Sequence, residues 1–328
     1  MQRKLDSFFQ ITTKYSDSCK KCFIYDPDLK QARFQYKPET SDQFVTTKCN
    51  IRLFYRPTKE CIKQSTCENI NTVLTIPLLK SNLQKAVRRG NINAALTTAT
   101  ALLEKDCIEF LRRLPIIFIE DVCLFDSFPI IVWLMMADRD YKLTNIDKNI
   151  ILSIVCQLCI TQSYFDYERI EWSSEFSKIS VKDIQHSDEL LAMYYLSLNG
   201  GMSCDIRLLQ TAIHYYRVNL DKIIRTDFHS MYMTKPNIEV ELLVEAIDFH
   251  PFPHILQNII NKLEKQEQIR NVTIEDIKTC IWFSESAINV RKPTTQTMSE
   301  KYKHTDLWTN IKPELNNLRR KILAQYDA

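Results

Sequence analysis

Pro77-Leu-Leu-Lys-Ser81-Asn-Leu-Gln-Lys85-Ala-Val-Arg-Arg-Gly90-Asn91-Ile-Asn-Ala-Ala-Leu96-Thr-Thr-Ala-Thr-Ala-Leu-Leu103 is the stretch that decides the fold class. Apolar residues recur three and four apart, which places them on one face of an α-helix. Ser81 is in position to cap a first helix that Gly90 stops, and Asn91 to cap a second. The second helix has a face of Ala94, Ala95, Leu96, Ala99, Leu102 and Leu103. The pattern continues downstream. Helices are expected at about 107–113, 115–124, 128–138, 145–163, 188–198, 205–215, 217–228, 237–248, 252–268, 273–288 and 305–326. Ser163–Ser187 reads as a longer connection, and Gly200-Gly201 and Lys235-Pro236 as breaks.

Upstream of this stretch the period changes. Arg33–Tyr36, Phe44–Thr47, Ile51–Tyr55 and Thr72–Ile76 are short β-type runs, punctuated by Pro27, Pro38 and Pro57. The expected fold is mainly α: a small N-terminal β-containing module followed by a large all-α helical domain. The expected divisions are a flexible tail at 1–17, the β-containing module at 18–76 and a helical platform at 77–328.

Composition excludes several functions. The 328 residues include 43 Lys+Arg against 40 Asp+Glu, a balance that fits neither a polycation nor an acidic disordered chain. With only 3 glycines, the chain has neither the phosphate-cradling P-loop nor the dinucleotide fingerprint, so no nucleotide cofactor is expected. The start of the sequence does not read as a secretory signal, and Phe128–Ala137 is shorter than the roughly 20 residues that cross a bilayer. A soluble intracellular protein with reduced thiols and no membrane partner is expected.

Gln2, Leu5, Phe8 and Phe9 form the pattern Q-x-x-[ILM]-x-x-[FY]-[FY]. In one short helical turn, Leu5, Phe8 and Phe9 project to one side as an apolar plug. Gln2 stays outside, with an amide suited to a polar pocket. Residues 2–9 read as free to reach a partner, and Ile11–Tyr15 as a strand that extends along its edge. The stretch resembles the PIP box, the peptide by which many ligands bind the sliding clamp called proliferating cell nuclear antigen. Similar peptides occur in replicative DNA ligases and mismatch-repair proteins. The resemblance implies a DNA replication or repair role with the clamp as partner. The bland alternative is an amphipathic helix packed on the body.

A second stretch, Asn91-Ile-Asn-Ala-Ala-Leu96 followed by Leu111-Arg-Arg-Leu114 and Glu120-Asp121-Val122, resembles the C-terminal helical region of the maintenance-of-genome-stability family, relatives of the clamp-loader ATPases. The likeness covers about residues 80–140, and Cys123 stands where that family has Gly. It implies a collar-like oligomerisation or docking role without ATP hydrolysis. Read from the residues alone, Pro115 starts a new helix, and Arg113 pairs across the joint with Glu120 or Asp121.

Three further groups have chemical potential. Cys19 and Cys22, with Cys61 and Cys67, have the donor set of a structural zinc, the alternative being free thiols. Asp248, His250 and His254 are the best catalytic or metal-binding constellation, with a clamp-tethered nuclease or other metal-dependent hydrolase as the rival function; a helix-end or packed histidine is the plainer reading. Lys85, Arg88 and Arg89, together with Arg319, Arg320 and Lys321, are candidates for DNA-backbone contact or for solvated helix faces. Abundant Lys, Ile and Asn point to an AT-rich genome, protist or viral. The expected location is therefore the nucleus, or a cytoplasmic replication site if the source is a DNA virus.

Overall fold

A computed structural model describes residues 21–58, 73–166, 170–228, 239–249, 252–285 and 305–326. Four strands come first: β1 (Cys22–Asp26), β2 (Gln31–Gln35), β3 (Gln43–Lys48) and β4 (Ile51–Tyr55). They form one sheet in the order β2-β1-β4-β3, with β1 and β4 parallel and both outer pairs antiparallel. Two hairpins are thus joined through the first strand of one, β1, and the second strand of the other, β4. The β3–β4 turn has Cys49 and Asn50 at φ 49° and 62°, the left-handed pair that a two-residue hairpin needs. All five residues of β1 are buried. A central strand covered on both faces loses the alternation by which strands are recognised, which is why β1 escapes the sequence reading. Thr72–Ile76, expected as a strand, is not one: residues 73–75 have no regular structure and Ile76 opens a helix.

Eleven helices follow among the described residues: α1 (Ile76–Arg88), α2 (Ile92–Lys105), α3 (Cys107–Asp121), α4 (Phe128–Met136), α5 (Asn145–Ile160), α6 (Val181–Ile184), α7 (Asp188–Leu198), α8 (Ser203–Tyr216), α9 (Pro253–Lys265), α10 (Ile274–Glu285) and α11 (Thr305–Leu323). The mainly α architecture behind a small N-terminal sheet is the one expected. Asn91 caps α2 through its side chain, which accepts from Ala94 N. Thr75, not Ser81, caps α1, and Pro77 sits in the first turn, where its missing N–H is not needed.

Other expectations are corrected. Pro115 lies inside a continuous α3 instead of starting a new helix. Loss of its N–H costs about 3 kcal/mol in a helix interior. Burial of Phe110, Leu111, Leu114, Ile117 and Phe118 offsets this cost along the same helix. The expected helix at 217–228 reduces to a short 3₁₀ turn, Leu220–Lys222, and a parallel bridge between Ile224 and Phe125. Of the one at 237–248, the described part contains only the 3₁₀ turn Val244–Ala246.

Every residue of α4 is buried, so this helix is the axis of the main core. The sheet's inner face shares that core: Phe23, Tyr25, Phe34, Ile51 and Leu53 pack into one cluster with α1–α5, α7 and α8. Polar bonds fix the joint. Trp133 of α4 donates its indole N–H to the Phe23 carbonyl at 3.0 Å. The fully buried Asp147 of α5 accepts from the Tyr25 hydroxyl at 2.6 Å, from Tyr141 at 3.0 Å and from the Thr144 N–H at 2.6 Å. A second core belongs to the C-terminal helices, where Leu256, Ile259, Ile260 and Leu263 form the stripe of α9 against Ile277 and Ile281 of α10 and Ile311 and Leu315 of α11.

Tyr25→Phe keeps the ring and removes one bond to a buried carboxylate. It should lower unfolding free energy by about 1.5–3 kcal/mol in urea titrations. A loss below about 0.5 kcal/mol, the range of an ordinary surface change, would show that Asp147 does not tie the sheet to the helices.

Candidate functional site

The C-terminal ends of α1 and α3 lie side by side, which brings Gln84, Lys85, Arg88 and Arg89 next to Arg113, Glu120 and Asp121. Arg88 Nε donates to Asp121 Oδ1 at 2.6 Å, and the amide of Gln84 donates to Asp121 Oδ2 at 2.8 Å. Arg88 Nη1 continues to the backbone carbonyl of Glu285, at the end of α10, at 2.6 Å. The Glu285 carboxylate is held by both terminal nitrogens of Arg319 in α11, at 2.7 and 3.1 Å. Arg319 Nε then donates to the Ile247 carbonyl at 2.9 Å. Asp121, Arg88, Glu285 and Arg319 are all buried. They form a charge relay from the main core to the C-terminal helices. The expected Arg113 pairing is present, with Nη2 at 3.6 Å from Glu120 Oε2. Burial, reinforced by Asp121 alongside, pushes the Glu120 carboxyl above its ordinary range.

This relay removes Arg88 and Arg319 from the expected DNA contacts. Arg88 and Arg319 are internal, and each is satisfied by carboxylate and carbonyl partners. Arg89 is bound at 3.3 Å to Glu245. Lys85 faces a groove, so these residues do not make one basic patch. Arg320 and Lys321 are exposed on α11. An Arg-Arg or Arg-Arg-Lys run on an amphipathic helix turns one residue inward, and only the position of the partner carboxylate reveals which.

The groove encloses about 920 Å³ between α1, α3, α7, α8 and the segment through Asp248 and Phe252. That segment is pinned to α1 by the buried Asn82, whose amide donates to the Glu241 carbonyl at 2.9 Å and accepts from Leu243 N at 2.8 Å. One wall is basic, with Lys80, Lys85, Arg112 and Arg113. Its floor is apolar, with Ile116, Met135 and Leu209. Asp205 and Asp248 stand among the remaining lining residues, which come from α8 and the pinned segment. Lys80 and Arg112 both engage Glu109, at 2.6 and 3.3 Å. The backbone carbonyl of Lys85 accepts from the Arg89 N–H, but its ammonium makes no hydrogen bond or ion pair among the described residues. Burial first, and then repulsion by Arg88, lowers the pKa of its ammonium, against the pull of Glu285, Asp248 and Asp121.

Gln2, Leu5, Phe8 and Phe9 lie outside the described residues, as do Cys19, Cys61, Cys67 and His250. Cys22 is a buried free thiol on the outer face of the sheet, packed with Ile24 and Phe54. Asp248 lines the groove, whereas His254 is exposed at the start of α9 with its ring edge-on to Phe252, centroids 6.1 Å apart. Among the described residues no group of three His, Cys, Asp or Glu side chains is placed to hold a metal, and no helix is long and apolar enough to cross a membrane. The sequence reading missed Gln84, Asn82 and Glu285 as organising groups; their signal was polar residues at positions of an apolar helical face. Comparison with known proteins gives no match to a family model, to a curated protein or to a solved structure.

Lys85→Met keeps the stem and removes the desolvated charge. A lysine whose folded pKa is depressed destabilises the fold at all pH values below that pKa, and the penalty fades as pH rises towards the unfolded value. The variant should therefore be more stable than the parent at pH 7, and the difference should shrink as pH rises into the alkaline range. A difference that is constant with pH in denaturant titrations would assign the effect to packing alone.

Proposed function

We propose that this chain is a non-enzymatic accessory factor of DNA replication or repair. Gln2, Leu5, Phe8 and Phe9 engage the sliding clamp, proliferating cell nuclear antigen, and the helical body acts as a docking platform. The observation that carries the reading is the four-anchor pattern itself, with apolar residues three and four apart and a leading glutamine. Tethering is the mechanism. An anchor on the clamp raises the effective concentration of the body at the primer–template without strong contact between body and DNA.

The body supports docking of protein more than of DNA. Arg88 and Arg319 are committed to internal carboxylates and Arg89 to the half-buried Glu245, leaving Arg320 and Lys321 as the candidate contacts that are exposed. Any DNA contact of the body is then weak, sequence-independent and salt-sensitive. The likeness of residues 80–140 to the clamp-loader-related helical region supports a collar-like docking role. Zinc on Cys19, Cys22, Cys61 and Cys67 would be structural in this reading, and the site of action is the nucleus or a viral replication site.

A peptide of residues 1–15 should bind a eukaryotic-type sliding clamp in calorimetry, and Phe8→Ala with Phe9→Ala should remove most of the binding by deleting both aromatic anchors. Equal affinity of the two peptides would sink the clamp assignment.

A further inference from the structure

From the groove we infer a peptide-binding site that takes a short acidic and apolar segment of a partner protein, with Lys85 as the counter-ion for its carboxylate and the apolar floor as the seat for its neighbouring side chain. The inference goes beyond the clamp reading and stands independently of it.

Three observations carry it. First, the charge is complementary to one carboxylate. Lys80, Arg112 and Arg113 already face Glu109 and Glu120, but Lys85 stands beside Arg88 with no direct partner among the described residues. Asp248, Glu285 and Asp121 attract Lys85 without making an ion pair with it, and a ligand carboxylate would add that direct bond. Second, the mouth is apolar and exposed. Met202 is 60% exposed and Phe252 45%, and both line the groove. Gly200 and Gly201 separate α7 from α8 at φ 93° and 148°, with no atom within 4 Å of where a Cβ would stand, so this rim is open. Exposed apolar residues around a partly basic cleft are a docking feature, because their burial is the favourable term that association supplies.

Third, the remaining charges select between ligands. Asp205 and Asp248 lie in the same groove as the basic wall. Two carboxylates oppose a run of phosphates more strongly than the single carboxylate that Lys85 would receive. A nucleic-acid strand would meet these two carboxylates and an aliphatic floor, without a row of free cations to track its backbone. A volume of about 920 Å³ matches a few side chains of an inserted segment.

The test uses the full chain and a displayed library of random twelve-residue peptides. Selected peptides should share an Asp or Glu within four residues of Leu, Met or Phe. Their synthetic forms should lose about tenfold or more in affinity when the acid is amidated, when the chain carries Lys85→Met, or when it carries Met202→Glu at the exposed rim. Circular dichroism of both variants establishes that the fold is kept, and the rim variant provides the reading if Lys85→Met alone is poorly folded. Selected peptides without such an acid, affinities unchanged in both variants, displacement by a twelve-nucleotide single strand, or displacement by the chain's own residues 1–15 would each overturn the proposal. The clamp is absent from this assay, so its failure leaves the clamp reading standing.

Discussion

The buried bond between Arg88 and Asp121 is the constraint on which the rest of the arrangement depends. A guanidinium and a carboxylate withdrawn from water are tolerated only when each remaining donor and acceptor is met. Here Gln84 completes Asp121, the Glu285 carbonyl takes a further Arg88 N–H, and the Glu285 side chain meets Arg319 through two bonds. Each of these requirements specifies where another element must stand. The ends of α1 and α3 are fixed side by side, α10 must end against them, and α11 must pass where Arg319 reaches both Glu285 and the Ile247 carbonyl. Apolar packing of similar volume would hold these helices as tightly, but it would accept many rotations. The directional bonds select one.

The same constraint shapes the groove. Ile247 belongs to the segment that supplies Ala246, Asp248 and Phe252 to the groove lining, and its carbonyl is fixed by Arg319. Asn82 holds the preceding residues from the other side. Lys85 lies one turn before Arg88 on α1, where burial first and then Arg88 disfavour its charge, while Glu285, Asp248 and Asp121 favour it. Of the expected DNA contacts, Arg88 and Arg319 are the two that organise the interior.

What was legible in the sequence follows a physical line. Helices with a one-sided apolar stripe, such as α2 with its Asn91 cap and α9 with Leu256, Ile259, Ile260 and Leu263, announce themselves through local period and capping chemistry. So do the hairpin strands β3 and β4, and the pairing of Arg113 with Glu120. β1 did not, because a strand buried on both faces has no alternation to read. The continuity of α3 through Pro115 depends on packing that lies far away in the chain. Arg88 and Arg319 were misplaced because their partners lie 33 and 34 residues away. Lys85 was grouped with them by proximity, although a neighbour on the helix can point to a different neighbour in space. The four anchors of the clamp motif are legible only as a pattern.

Arg88 and Asp121 act as a pair that locks α1 to α3 and, through it, the C-terminal helices. A double-mutant cycle with Arg88→Met and Asp121→Leu measures that claim most directly, read as unfolding free energy in urea. Each single change strands a buried charge and should cost about 3–5 kcal/mol, whereas the double replacement leaves no stranded charge and should restore much of the loss. The predicted result is therefore a coupling of about 2 kcal/mol or more. Additive losses within about 0.5 kcal/mol would contradict it and reduce the relay to two unrelated side chains.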